Sequence, residues 1–407
     1  MYEPSRAHRS THIPALDGIR GIAILLVLGI HFFYSGAFPQ LPPRFAFVGN
    51  VFAFGWMGVD LFFVLSGFLI TGILLDTAGA PNYFQSFYAR RTLRIFPVYY
   101  LVIAVFLCIL PFASRSVTLG LFLPGSSLLT ANLFYLQNWW ICFHGWAKTG
   151  VIGDYWSLGI EEQFYLVWPF VVLKLSRQNL TVFCVMTCVF APFLRLLLLQ
   201  NYPRSTLVFA STITRTDTLL WGALVAIAIR TPGLVQKAKS YLSPILLTTA
   251  LFVLIIDFPL GELYSRALIT QSIGYTIIAI GFAAFLFKAY LVDGTSSRLA
   301  SFLHTGLLRS FGRYSYGIYI YHGFLIVAMK LVFGRAPWFG HSIPGAVVLF
   351  FVFFASNYGV AYISFHVYEK NFLALKSRFK ASGSHIPLFA APLTAMALTS
   401  SQVEDLR

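Results

Sequence analysis

Histidine, carboxylates and arginines recur inside stretches of this chain that are otherwise apolar, and they are the residue types of proton transfer and anion binding. On helices rising 1.5 Å per residue, His31 falls about 10 Å below the outer end of its apolar run and Asp60 about 14 Å below the end of another. By the same measure Glu161 and Glu162 lie at about 9–11 Å, and Arg215 with Asp217 at about 14–17 Å. Ionisable groups at such depth are costly and usually functional. A neutral imidazole supported by a carboxylate is a general base, so His31 is the expected base, a structural histidine being the plainer reading, and Asp60 or Glu161 is its expected orienting partner. Arg215 and Glu162, at similar depth, are candidates to contact substrate.

A second group lies at the opposite face. Arg20 stands one turn inside the first run, and Arg90, Arg91 and Arg94 follow the second in FYARRTLRIFP. Arg91 and Arg94, three apart on a helix, share a face and suit a phosphate-bearing ligand. An ordinary basic loop on lipid headgroups is the plainer reading of the same residues. Plainer readings also exist for His322 (a hydrogen-bonded core histidine), Lys330 (snorkelling near a helix end) and Asp17 (a first-turn cap). Glu161 and Glu162 point about 100° apart on a helix, so one of them faces the bundle.

Holding such groups at matched depths requires membrane-spanning helices, and the composition supplies them. The 407 residues are 58% hydrophobic and 11% charged, whereas soluble domains carry about 25% charged residues. A soluble enzyme, a disordered chain and a disulfide scaffold are thereby excluded. Unbroken apolar runs, rather than alternation, argue against an outer-membrane barrel. The runs cover 16–38, 51–75, 96–113, 155–173, 180–199, 206–229, 241–258, 267–287, 314–334 and 345–367. A shorter run, 126–141, decides the topology of everything after it. If it does not cross, nineteen Lys and Arg fall inside and six outside: Arg44, Arg115, Lys148, Arg204, Arg266 and Arg335. If it crosses, the inside keeps only about nine, against the positive-inside rule.

The expected fold is therefore an all-α polytopic bundle of ten membrane-spanning helices with both termini cytoplasmic. Segment 126–141 is re-entrant or interfacial on the outside, with Trp139, Trp140 and Trp146 in an interface belt. The first run is too long and too charged for a cleavable signal. Expected organisation is a cytoplasmic segment 1–12, one membrane domain 13–373 and a disordered cytoplasmic tail 374–407. The net charge of +15 reads as cytoplasmic loops on anionic lipid rather than as nucleic-acid binding. The four cysteines lack metal-ligand spacing, and no metal is expected.

Six stretches carry a family resemblance, in this order: IPALDGIRGIAILLVLGIHFF, WMGVDLFFVLSGFLITGILL, FYARRTLRIFPVYY, DYWSLGIEEQFYLVWP, RTDTLLWGAL and FGRYSYGIYIYHGFLI. Together, from about residue 13 to 373, the chain resembles the acyltransferase family 3 of integral-membrane O-acyltransferases. The resemblance implies a ten-span bundle that moves an acyl group, often acetyl, from cytoplasmic acyl-CoA to a hydroxyl. The acceptors it implies are a surface or secreted carbohydrate, a lipid or another small molecule. It matches Arg20 and His31 to the family's arginine–histidine pattern, Arg91 and Arg94 to its R-x-x-R, and Trp156 through Tyr165 to its W-S-L-x-x-E-E-Q-F-Y element. Trp156 and His322 join the expected substrate contacts. Acyl-CoA is implied as co-substrate with no permanently bound cofactor, and the bacterial inner membrane as location.

The expected mechanism puts the CoA phosphates on Arg91, Arg94 and Arg20. Its pantetheine arm reaches toward His31, about 17 Å up the same helix from Arg20. His31 then acts as base, or is itself acylated. Acceptor recognition is assigned to the outer segment 114–154. The rival class is a proton-coupled transporter or flippase, which would use similar buried charges. The sequence lacks the internal repeats that many carriers show.

Overall fold

The computed structural model describes residues 13–34, 46–113, 125–146, 149–202, 206–257, 268–333 and 342–382. Segment 1–12, the tail beyond 382 and the six cations expected in outer loops lie outside the described residues. Every regular element among the described residues is a helix. Ten long ones carry the fold: α1 (Pro14–Tyr34), α2 (Met57–Thr77), α3 (Tyr83–Ala113), α4 (Trp156–Lys174), α5 (Arg177–Asn201), α6 (Thr212–Ala228), α7 (Leu234–Phe252), α8 (Tyr275–Val292), α9 (Gly306–Phe333) and α10 (Ile343–Ser364). Serines set several of their starts: Ser176, Ser211 and Ser342 each accept a hydrogen bond from a backbone N–H of the first turn, satisfying a donor that the helix itself cannot.

Eight helical stretches among the described residues are long and apolar enough to cross a membrane, so the chain is a polytopic membrane protein. They are all the long helices except α4 and α6. Both exceptions have physical causes. Glu161, Glu162 and Gln163 lower the hydropathy of α4. In α6, Arg215 and Asp217 do the same, and Ser211 cuts it to 17 residues by separating it from the short helix Thr206–Ala210.

Segment 126–141 forms two helices of eight residues, Ser126–Leu133 and Gln137–His144. Each is about 12 Å long, well under the roughly 30 Å of a bilayer core. After α10, short helical turns run on through Leu375–Phe379, and the Ser382 hydroxyl donates to Asn82 Oδ1 at 3.0 Å.

Two close helix crossings organise the bundle, both made by glycine. In α9, a Cβ on Gly312 would strike the Asp17 carbonyl oxygen and crowd the backbone of Gly21 in α1. In α6, Gly222 meets the Val64 carbonyl of α2, and Gly67 of α2 meets that of Leu219. Small residues let backbones approach where lipid offers no hydrophobic drive for helix pairing. Contacts between α2 and α6 keep one offset: Asp60 pairs with Arg215 and Asp76 with Arg230, 155 and 154 residues apart. A constant offset means the two helices run parallel.

The same holds for α1 and α9. His31 and His322 each lie ten residues beyond the glycine at the crossing, Gly21 and Gly312. Equal steps of about 15 Å along parallel helices bring the two imidazoles to one level. Around them pack Ile24, Leu28, Phe32, Ile318 and Phe353, all buried. The outer helices instead present Phe190, Phe193, Leu247 and Phe351 outward, as lipid-facing surfaces do.

The crossing is sensitive to a single methyl. Gly312→Ala is expected to cost about 1–3 kcal/mol of stability, because the obstructing atom is backbone and cannot rotate away. It should also lower activity by more than the folded fraction explains, since α1 carries His31. Thermal unfolding and specific activity of the folded fraction, measured on one preparation, check this.

Candidate active site

The two histidines meet on a carboxylate outside the apolar runs. His31 Nε2 is 3.1 Å from Asp154 Oδ1, and His322 Nε2 is 3.2 Å from Asp154 Oδ2. Their rings stand edge to face, centroids 4.6 Å apart. Each Nδ1 faces a backbone carbonyl, that of Val27 at 2.8 Å for His31 and that of Tyr319 at 2.7 Å for His322. A carbonyl only accepts, so both Nδ1 atoms carry hydrogen and both Nε2 atoms are left to take a proton. Neutral, each Nε2 would turn a lone pair on a carboxylate oxygen. The arrangement is satisfied when an added proton, or a cation, lies between.

Asp154 lies just before α4, beyond the spans. Burial pushes its carboxyl up, but His31 and His322 outweigh burial and hold it well below the usual carboxylate range. A lowered carboxylate stabilises the fold above its ordinary value near 4 and loses that only in stronger acid. Asp154 therefore stays ionised through neutral pH. Among the described residues these three side chains also form the one cluster with metal-ligand spacing, its donor atoms within 4.8 Å of one another. The sequence raised no expectation of it.

A cavity of about 800 Å³ approaches this cluster from the arginine side. Arg20, Arg91 and Arg94 line it together with Ser66, Glu161, Ser157 and Tyr319. Arg20 pairs with Asp17, in the first turn of α1, at 3.0 Å. Arg91 lies over the Tyr165 ring, 5.4 Å from its centroid. Ser66 donates to Glu161 Oε1 at 2.5 Å, so the Tyr165 hydroxyl, 2.8 Å away, donates to Ser66. Tyr319 completes the connection. Its hydroxyl donates to the Asp154 backbone carbonyl and accepts from Ser157 at 2.6 Å. His31 itself does not line this cavity; Tyr319 and Ser157 stand between.

Several expected placements are corrected. Asp60 does not serve His31: it pairs with Arg215, both fully buried between α2 and α6. Arg215 also lies 4.0 Å from the Tyr275 ring centroid, away from the cavity. Asp217 pairs with Arg195 at 3.0 Å. Depth along a helix had matched these groups to His31, but their direction around the helix axis sends them elsewhere. Glu161 likewise binds Ser66 rather than the imidazole. Trp156 is buried against Phe63 and Phe209, behind the cavity wall. Glu162 lies on the other side of α4, lining a second cavity. His322, read first as a core histidine, is buried and joins His31. Asp154, Tyr319 and Ser157 were missed. Asp154 had a signal: it is the sole carboxylate between Asp76 and Glu161.

A basic cavity beside a histidine–carboxylate cluster, inside a helical membrane bundle, offers anion binding and proton transfer in one place. The acyltransferase domain model of family 3 matches residues 13–365, and the chain belongs to that family. It is 30% identical over 391 residues to a Bacillus subtilis protein provisionally named a peptidoglycan O-acetyltransferase, covering 91% of this chain and 56% of the relative. It is 29% identical over 334 residues to the peptidoglycan O-acetyltransferase OatA of Listeria monocytogenes, covering 76% and 49%. With the O-acetyltransferase OatA of Staphylococcus aureus it shares 27% identity, covering 83% and 54%. The chain thus spans about half the length of these relatives. No solved structure matches.

Proposed function

We propose that this chain is a membrane O-acyltransferase that moves an acyl group, acetyl by analogy with its relatives, from acyl-CoA to a carbohydrate hydroxyl. One observation carries the reading. The cavity lined by three arginines ends at Tyr319, which is bonded to the residue that holds both histidines. Arg20, Arg91 and Arg94 bind the CoA phosphates; the thioester extends past Glu161 and Ser66 toward Ser157 and Tyr319. Past Tyr319 and Ser157, which separate the cavity from the histidines, the thioester meets the acceptor hydroxyl at the exposed side of His31 and Asp154; the hydroxyl attacks the thioester carbonyl, its proton passes to His31 Nε2, and Asp154 stabilises the imidazolium formed. The tetrahedral intermediate collapses, the C–S bond breaks, and the histidine proton goes to the departing thiolate, releasing CoA as thiol.

The topology belongs to the same proposal: ten spans, α4 and α6 included, termini in the cytoplasm of a bacterial inner membrane, and 126–141 entering from outside without crossing. The parallel run of α1 with α9 and of α2 with α6 supports it, because a crossing at 126–141 would reverse both pairs. Peptidoglycan is the acceptor class favoured by the names of the relatives.

The test is release of free thiol from acetyl-CoA by protein in nanodiscs, with muropeptides and other glycans as acceptors. Acceptor-dependent release is expected from wild type. His31→Ala should lower the rate by about 10²–10⁴-fold. Arg91→Ala/Arg94→Ala should instead raise the KM for acetyl-CoA by about 10²-fold, two charge-assisted contacts being lost. A chelator should leave the rate unchanged; loss restored by added zinc would reassign the histidine–aspartate cluster as a metal centre. Folded protein that releases no thiol would favour a transporter.

A further inference from the structure

A second cavity, of about 610 Å³, lies across Arg91 and Tyr165 from the first, between α3, α4 and the turn that joins Ser126–Leu133 to Gln137–His144. The turn is held with care. Gln163 donates to the Tyr135 carbonyl at 2.8 Å and to Asn138 Oδ1 at 2.9 Å, and accepts from Trp139 Nε1 at 3.0 Å. The Tyr135 ring stacks on Tyr99, centroids 4.4 Å apart.

So held, Tyr135 adopts φ 55°, the one non-glycine residue with positive φ among those described. For a bulky side chain that backbone is strained, and such strain persists where surrounding structure imposes it, often at ligand sites. What the strain positions is a hydroxyl. Tyr135 is 6% exposed, it lines the cavity, and its hydroxyl has no hydrogen-bond partner among the described residues. Glu162, lining the same cavity, has a buried carboxylate oxygen, Oε1, that is also unpartnered. Leaving such groups unpaired is costly. Both oxygens are closed to solvent as the side chains stand, and a rotation of each side chain into the cavity it lines would let one ligand hydroxyl donate to Glu162 and accept from Tyr135, satisfying both.

The rim says where the ligand comes from. Phe134 and Leu166, which also line the cavity, are 70% and 63% exposed. On a membrane protein such apolar side chains face lipid.

We propose that this cavity binds the hydroxyl-bearing headgroup of a membrane lipid, which enters sideways from the bilayer. Tyr135 and Glu162 read its hydroxyls, and Phe134 and Leu166 pack its chains. The assignment does not depend on the acyl-transfer reading, because binding is measured without turnover. If that reading also holds, a headgroup here lies one side chain from the donor cavity, whose wall shares Arg91 and Tyr165.

The test is native mass spectrometry of the full chain with three added lipids: phosphatidylglycerol, a galactosyl diacylglycerol and phosphatidylcholine. The first two, which carry hydroxyls, should be retained, and the third, which has phosphate but no hydroxyl, should not. Tyr135→Phe and Glu162→Gln should each weaken retention of the hydroxylated lipids by about tenfold, the value of one such hydrogen bond. Tyr135→Phe keeps the stacked ring and should unfold at wild-type temperature or above, so a folding defect is not the cause of its loss. Equal retention of all three lipids, or unchanged retention by both variants, would overturn the proposal.

Discussion

Asp154→Asn is expected to lower acyl transfer by about 10²–10⁴-fold while leaving the protein folded and its KM for acyl-CoA unchanged. The reason is proton bookkeeping at the two imidazoles. Their Nδ1 hydrogens are committed to the Val27 and Tyr319 carbonyls, so each Nε2 meets the Asp154 side chain either as a lone pair or as N–H. Asparagine presents one amide N–H₂ and one oxygen. It can satisfy one neutral histidine, but it supplies no negative charge for an imidazolium. Removing the charge therefore removes the group that makes proton uptake favourable, without emptying the site. Arg20, Arg91 and Arg94 sit at the far end of the cavity, so donor binding should be spared.

A KM–kcat split in the thiol-release assay separates this outcome from general damage. The pH profile adds a second readout. Because Asp154 is held ionised below the ordinary carboxylate range, the activity profile should show no inflection from Asp154 at or above about pH 4. An Asp154→Asn protein with full kcat would remove the carboxylate from the mechanism.

The second large effect is on stability. Arg195→Met is expected to cost about 3–5 kcal/mol, the range for breaking a buried ion pair from one side. Arg195 and Asp217 are both fully buried. Arg195 also donates to the Thr214 carbonyl at 2.7 Å and to that of Ser272 at 2.9 Å, so it joins α5, α6 and the start of the α8 segment. After the substitution Asp217 keeps its bond from Thr276, 2.7 Å away, but has no cation. Arg195→Met/Asp217→Leu should recover most of the loss, since a well-packed apolar pair replaces the ions. Thermal unfolding in one detergent measures both; a loss under about 1 kcal/mol for the single variant would mean the pair is solvated.

The two ends of the candidate site were legible in the sequence to different degrees. The arginine end was readable because Arg91 and Arg94, three apart on one helix, must share a face, and Arg20 precedes His31 on another. That relation is local, and a helix of known rise carries it without tertiary information. The histidine end was half readable. His31 stood out as an ionisable group in an apolar run; Asp154, at the edge of one, did not. Asp60 was drawn toward His31 because depth is computable from sequence and direction around an axis is not.

Composition and hydropathy by themselves determined that the chain lives in a membrane as a bundle of helices, because no other fold satisfies a backbone in lipid across so many apolar runs. They also determined which residues are costly enough to require a purpose. Only the tertiary structure decided which of those residues meet. Gly21 against Gly312 sets the level at which His31 finds His322, and Gly67 with Gly222 sets the offset at which Asp60 finds Arg215 instead. The physical reason is that partner choice depends on the register and rotation of helices far apart in the chain, and these are set by the backbone contacts at each crossing.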